Sequence, residues 1–365
     1  TKHIDNLTDL YSELFKARKL RGAIEFESHE AQIIFDAERK IQEITPIIRT
    51  EAHRLIEECM LCANVCAAKF LKKNKIPALY RSHQGPRQEK LDNLREFLGE
   101  LGLGLPGGDD LSPKDFQEIL SRTFGRPDAS VIQTVILRSM NRAAYTSEND
   151  GHFGLNYAEY THFTSPIRRY PDLLVHRAIR YLIRKKLKAL HAHVVEGAPV
   201  LSQAQIYPYD EKSLAAAGEQ CSMTERRADE ATRDVVNWLK CEFLVSRVGE
   251  EFSGVVVSVT GFGLFVQLSE MYIEGLVHIT GLPKDYYYHE VAHHRLVGER
   301  TGRMFRLGDK LRVRVARVDL DERKIDFELV EKEQKKSEKT TGYIKKLSKK
   351  ISSSRKKYPG KKIKK

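Results

Sequence analysis

An α+β fold is predicted for this chain, a helix-rich body followed by a small β-barrel and a basic tail, and three observations predict it. Apolar residues recur at three- and four-residue spacings through most of the sequence up to residue 247. At Gly249 the pattern changes to alternation and β-branched runs punctuated by Gly and Asp. From Glu331 onward the composition becomes Lys/Ser-rich with few large apolar residues, which predicts a disordered segment.

Leu7, Leu10, Tyr11, Leu14 and Phe15 predict an amphipathic helix over 1–20. No hydrophobic strand precedes it, so the start is expected to be a cut through a larger protein. A second helix is predicted over 50–71, polar early and almost wholly apolar after Glu58, its second half buried on most sides. The Gly-rich stretch 101–113 reads as a loop, with helices expected over 113–122 and about 128–143. Pro171 biases Tyr170 away from helical backbone, so the next helix is expected to begin at Asp172 and run to Leu190 with Leu174, Ala178, Leu182 and Ile183 on one stripe. A charged helical stretch covers 211–247.

Five short strands follow: Phe252 to Val259, Leu264 to Leu268, Gly275 to Ile279, Lys310 to Val318 and Lys324 to Val330. That number in so short a span predicts a five-stranded Greek-key barrel of the OB type.

The 365 residues, 41% apolar and 31% charged, are enough for two or three globular domains. The net charge of +12 is local: residues 331–365 hold 15 Lys/Arg against 3 Asp/Glu, and the remainder is balanced. A nucleic-acid site in the body must therefore come from clustering of charge rather than from the total. Five cysteines, few and odd in number, imply no disulfide framework and favour a reducing cytoplasm. The apolar run Cys59 to Ala68 is about half of the roughly 20 residues that span a bilayer, so no membrane partner is expected. Cys59, Cys62 and Cys66 share a helical face, but no fourth ligand accompanies them and the core reading is preferred to zinc. His152, His162 and His176 likewise read as structural, since their spread has no metal spacing.

The segment Tyr160-Thr161-His162-Phe163-Thr164-Ser165-Pro166-Ile167-Arg168-Arg169-Tyr170-Pro171-Asp172 carries the densest chemistry. Two guanidiniums, two hydroxyls and a helix N-terminus converge, and each suits phosphate, Arg by bidentate hydrogen bonds and the helix end by free N–H groups. The other account, an Arg pair bonding loop carbonyls or a carboxylate, stands beside it at even weight. In the barrel, alternation buries Leu264, Val266 and Leu268 and turns Phe265 outward. With Phe262 and His278 it forms an aromatic platform on which bases can stack. Arg312 and Arg314, opposite in facing to Val313 and Val315, are candidates for further phosphate contacts.

His152-Phe153-Gly154-Leu155 and the segment through Asp172, with Arg-Gly-Ala-Ile-Glu-Phe-Glu-Ser at 21–28, the helix 55–71, Leu-Pro-Gly-Gly at 105–108 and the stretch 221–244, resemble the ribonuclease II superfamily of exoribonucleases. The barrel resembles the S1 RNA-binding domain. The resemblance implies an RNB catalytic domain, of which 1–246 would be the C-terminal part, an S1 domain over 247–331, and the Lys-rich tail over 332–365. It also implies 3′→5′ processive hydrolysis of single-stranded RNA to nucleoside 5′-monophosphates. On the RNB side, Phe26 matches an aromatic that clamps terminal nucleotides, Glu57 an acid at the 3′-end ribose, and Arg168 the arginine on the scissile phosphate, with Arg169 and Tyr170 beside it. On the S1 side, Phe262, Phe265, His278 and the paired Asp319 and Arg323 match the base-stacking set. From the residues alone, Phe26 fits ordinary core, and Glu57 with Glu58 sits where a carboxylate needs a partner or water.

The family holds Mg²⁺ on an aspartate followed six residues later by Asp-x-Asp-Asp, and no such spacing occurs here. Asp109-Asp110 lacks flanking acids, and Asp319 with Asp321 fits a hairpin turn. The expectation is a cytoplasmic, monomeric parent enzyme using Mg²⁺, of which this chain alone is inactive. The alternative is an RNA-binding module without turnover. The tail's lysines are expected to attract RNA, ribosomes or other RNA-protein assemblies. A translation-associated S1 protein is a weaker reading, since it leaves residues 1–245 without a role.

Overall fold

The helical period of the first segment closes into α1 (Lys2–Arg21), none of whose side chains is buried. The computed structural model describes residues 2–26, 31–47, 49–108, 111–126, 128–185 and 202–330. The Lys-rich tail, Asp109-Asp110 and the helical turns expected over 186–190 lie outside the described residues. After α1 comes an antiparallel hairpin, β1 (Ala31–Phe35) and β2 (Ile41–Pro46), that the periodicity does not predict. Its Ile44 is buried against the barrel core, so tertiary packing rather than local pattern supports it.

The second helix is α2 (Glu51–Lys73). The expectation that its second half is buried on most sides is corrected: Asn64, Val65, Ala67, Ala68 and Leu71 are buried, whereas Cys62, Cys66 and Lys69 are exposed. Among the described residues, one face of the helix is covered. Ala67 and Leu71 join Ala78 and Leu79, which lead into β3 (Tyr80–Ser82), and side chains of two later helices. Next come α3 (Gln88–Glu100), α4 (Pro113–Thr123) and α5 (Ala129–Ser139), whose Leu94, Leu98, Phe116, Ile119, Ile132 and Ile136 form a second core. Ser112 and Asp115 cap α4 reciprocally, with Pro113 at the start, where no N–H is needed. Helix α5 stops short of the expected 143 because Met140 adopts extended backbone, leading to β4 (Ala144–Thr146) paired with β3.

The third strong helix, α6 (Tyr170–Lys185), begins two residues before the expected Asp172. Pro171 sits in the first turn, where its missing N–H costs nothing, and this outweighs its bias on Tyr170. A short α7 (Gln203–Ile206) and the 35-residue α8 (Glu211–Val245) follow, the latter capped by Asp210 accepting from the Ser213 N–H at 2.8 Å. Leu174, Val175, Ala178 and Leu182 of α6 and Leu214 of α8 complete the core begun by α2.

The barrel strands are β5 (Glu251–Thr260), β6 (Gly263–Leu268) and β7 (Glu274–His278), closed after an excursion by β11 (Lys310–Asp319) and β12 (Lys324–Leu329). The order is β11-β12-β7-β6-β5 in a closed ring, with β12 parallel to β7 and the remaining pairs antiparallel. The predicted five-stranded barrel and the α+β class are therefore present. The excursion is a three-stranded meander, β8 (Tyr287–Glu290), β9 (Arg295–Gly298) and β10 (Met304–Arg306), absent from the sequence reading.

Body and barrel interlock within one unit that extends to Leu329. Cys241 and Leu244 of α8 enter the barrel core, and Leu307 enters the core of α3 to α5. At the β5 bulge beside Val257, Arg138 of α5 donates to the Val257 carbonyl at 2.7 Å. Among the described residues, no helix is long and apolar enough to cross a membrane.

Candidate nucleic-acid interface

Two separate surfaces hold the residues singled out by sequence. The first is the loop from Tyr160 to Arg169, which is anchored to α2. Asn64, a polar side chain buried in that helix, donates to Tyr160 Oη at 3.0 Å and accepts from the Phe163 N–H at 2.9 Å. Thr161 Oγ1 donates to the Leu79 carbonyl at 2.5 Å. His176 Nε2 bonds the Phe163 carbonyl at 2.9 Å, and its ring stacks on Phe163 with centroids 4.3 Å apart. A buried Asn must be bonded, so an Asn inside the apolar run of α2 was the signal available in sequence.

Past this anchor the two arginines part ways. Arg169 Nη2 donates to Asp172 Oδ1 at 2.8 Å, and Asp172 is fully buried. Arg168 is exposed, and its guanidinium has no side-chain partner among the described residues. The carboxylate account holds for Arg169, while Arg168 is left facing solvent. Tyr170 is exposed and meets Tyr209 Oη to Oη at 2.9 Å, while Arg177 Nη1 also donates to Tyr209 at 2.8 Å. The hydrogen bond to Tyr209, with partial burial, pushes the Tyr170 phenol up.

His162 in the loop and His152 before it are held neutral. Burial, with nearby arginines, lowers His162 to about 2, and burial beside His83 lowers His152 to about 3. His162 Nδ1 lies 2.8 Å from Tyr145 Oη, and His152 Nδ1 accepts from the Leu155 N–H at 3.2 Å. His83 links the same layer, accepting the Gly154 N–H at 2.9 Å.

Of the adjacent acids Glu57 and Glu58 on α2, Glu58 is buried and takes Arg18 of α1 at 2.6 Å. Glu57 is half-exposed, with Arg49 at 3.8 Å. Phe26 packs partly buried against the core of α3 to α5. Among the described residues no group of three or more His, Cys, Asp or Glu is placed to hold a metal ion. Asp172 is committed to Arg169 and Glu58 to Arg18. The described residues therefore do not fit the Mg²⁺ that the resemblance implies.

The second surface lies on β6 and β7. Leu264, Val266 and Leu268 are buried and Phe265 faces outward, as alternation requires. Phe262, 50% exposed in the turn before β6, meets Phe265 edge to face with ring centroids 6.0 Å apart. The turn is tied to the chain after β7: the Ile279 N–H donates to the Phe262 carbonyl at 2.9 Å, and Gly263 has φ +154° with a Cβ position blocked by the Val277 carbonyl. Exposed His278 pairs in register with Gly263, and its Nδ1 is 2.8 Å from Thr280 Oγ1.

The charged barrel residues singled out by sequence pair elsewhere than the sequence expectation has them. Asp319 and Arg323 do not pair with each other. Arg317 holds Asp319 at 2.8 Å, the Glu322 N–H donates to it at 3.0 Å, and these bonds keep its carboxyl below the usual range. Arg323 instead reaches Asp234 of α8 at 3.1 Å. Arg312 and Arg314 both close on Glu251, at 3.0 and 2.8 Å, because β11 lies beside β5 in the ring.

A model of the RNB domain matches residues 1–185, and a model of the S1 RNA binding domain matches residues 246–329. Ribonuclease R of Escherichia coli (strain K12) is 51% identical over 332 residues, covering 91% of this chain and 40% of the relative. Ribonuclease R of Vibrio cholerae is 50% identical over 362 residues, covering 99% of this chain and 42% of the relative. The chain thus spans about two fifths of the length of these curated relatives. Among solved structures, Mycoplasma genitalium RNase R in complex with ribose methylated single-stranded RNA superposes with a TM-score of 0.79 at 27% identity, covering 90% of this chain and 49% of that one.

Proposed function

Since the chain belongs to the RNB domain family and carries an S1 RNA-binding domain behind its RNB-matching residues, we propose that it is the RNA-holding part of a ribonuclease R-type 3′→5′ exoribonuclease. Single-stranded RNA passes over the S1 platform, stacking on Phe262 and Phe265 beside His278, and enters the body toward Arg168. Residues 1–246 act as the RNB part, 247–331 as the S1 domain and 332–365 as a basic extension that adds salt-sensitive attraction to RNA or RNA-protein assemblies.

The observation that carries this reading is Arg168, an exposed guanidinium on a loop whose surrounding residues are bonded to the body. That geometry supports a phosphate contact held in place before RNA arrives. Glu57 and Phe26 are assigned to the 3′-terminal nucleotides, and Tyr170 to an RNA contact beside Arg168. The whole enzyme works processively as a cytoplasmic monomer, releasing nucleoside 5′-monophosphates with Mg²⁺ held by acids that this sequence does not contain. This chain alone binds RNA without turnover.

The test joins binding and cleavage. A 5′-labelled oligoadenylate should bind the purified chain, measured by fluorescence anisotropy, and remain intact with Mg²⁺. A polypeptide that adds the aspartate-bearing part of the ribonuclease R relatives should shorten it from the 3′ end. Metal-dependent cleavage by this chain alone would overturn the assignment of the cutting acids, and absence of binding would overturn the RNA-holding role.

A further inference from the structure

Ser165 is the centre of the loop that presents Arg168. Its N–H donates to Asp172 Oδ1 at 2.7 Å, and its carbonyl accepts from the N–H groups of Arg169 at 3.0 Å and Arg168 at 3.3 Å. The same Oδ1 accepts from Arg169 Nη2 at 2.8 Å. One carboxylate oxygen therefore ties the entry of the turn to the residue that follows Arg168, while Ile167 at the apex is fully exposed.

We propose that Asp172 is a positioning residue that aims Arg168 at the RNA backbone, acting through Ser165 and Arg169. The proposal rests on the reading of Arg168 as a phosphate contact. Asp172 is fully buried, so it touches no RNA itself. It lies in the first turn of α6, where the helix dipole favours a carboxylate. Burying that charge without a partner would be costly, and Arg169 supplies the partner. The two adjacent arginines consequently divide the work: Arg169 neutralises the anchor, and Arg168 remains available to a ligand.

The anchor has little redundancy. Asp172 Oδ2 and Arg169 Nε are both buried without a hydrogen-bond partner, as is Thr164 Oγ1. The hold on Ser165 thus depends on Oδ1 alone, and Asp172→Asn removes the charge assistance from both of its bonds together. The turn would then lose its fixed geometry, and Arg168 would have to be ordered anew at each binding event.

The experiment is a double-mutant cycle on the full chain, reading the Kd for a short 5′-labelled oligoadenylate at several salt concentrations. Arg168→Ala is expected to weaken binding about five- to tenfold and to reduce the salt slope by about one. Asp172→Asn should produce a similar loss, and adding Arg168→Ala to it should cost less than about twofold more. If Arg168→Ala costs its full factor in the Asp172→Asn background, the positioning role is overturned while the phosphate contact stands. If Arg168→Ala alone binds like the parent chain, the reading of Arg168 falls, and this inference with it. Should a circular-dichroism melt show Asp172→Asn unfolded, Arg169→Gln with Asp172→Asn replaces it in the same cycle, since that pair leaves no buried charge unmatched.

Discussion

Arg323, at the turn between β11 and β12, donates to Asp234 of α8 at 3.1 Å, a bond that ties the rim of the barrel to the long helix. Both side chains are about half exposed, so the pair adds at most about 1 kcal/mol to stability. It does, however, occupy the guanidinium that the S1 resemblance assigns to the base-stacking set. Asp234→Ala is expected to leave the melting temperature nearly unchanged and to raise affinity for single-stranded RNA a few-fold, measured by anisotropy at low salt. Unchanged or weaker binding would remove Arg323 from the RNA surface.

The edge-to-face pair of Phe262 and Phe265 predicts a second outcome. Stacking of a base on an aromatic is worth about 1–3 kcal/mol, so each Phe→Ala change should weaken RNA binding roughly 5- to 150-fold. Phe262 is half exposed, and its replacement should leave the urea midpoint almost where it was. Loss of affinity without loss of stability at Phe262 separates ligand contact from core packing. An affinity unchanged in the double variant would remove the platform.

Acid should destabilise the body through its neutral histidines. His162 and His152 are lowered to about 2 and about 3, while in the unfolded chain they titrate near 6.5. Between those limits the unfolded state binds more protons, so stability falls as pH falls. Each contributes a slope of at most about 1.4 kcal/mol per pH unit below roughly pH 6. Urea unfolding between pH 7 and about pH 4 should show His162→Gln less stable than the parent near neutrality, but with a shallower decline into acid. Parallel curves for the two proteins would show that His162 does not titrate differently on unfolding.

Gly218 allows α8 to lie against β4. A Cβ there would stand 2.7 Å from the Tyr145 carbonyl oxygen, a backbone atom that cannot swing aside. Replacing Gly by Ala within a helix ordinarily stabilises by about 1 kcal/mol. Here overpacking should win, with Gly218→Ala costing about 1–3 kcal/mol and lowering the melting temperature. A raised melting temperature would show that the helix can shift without loss.

Much of the barrel was legible because its signal is local. Strand β6 follows from Leu264, Val266 and Leu268 alternating with Phe265 and Gln267, and the facing of Phe265 follows with it. The meander of β8 to β10 was not legible, since strands of three or four residues have too few alternations to stand apart from a loop. Helix α6 shows the limit of local rules in another way: Pro171 argued against helix at Tyr170, yet the first turn of a helix is where proline costs least.

The sequence by itself determined the candidate chemistry: the arginine pair of the loop, the aromatic platform and the missing aspartate run. Tertiary structure alone decided which charges are already spent. Arg169 on Asp172, Glu58 on Arg18, Arg312 and Arg314 on Glu251, and Arg323 on Asp234 leave Arg168 without a described side-chain partner. The physical reason is range. Periodicity and turn chemistry act over a few residues and can be read along the chain, whereas an ion pair forms between whichever charges the fold brings within a few ångströms, often from distant parts of the sequence.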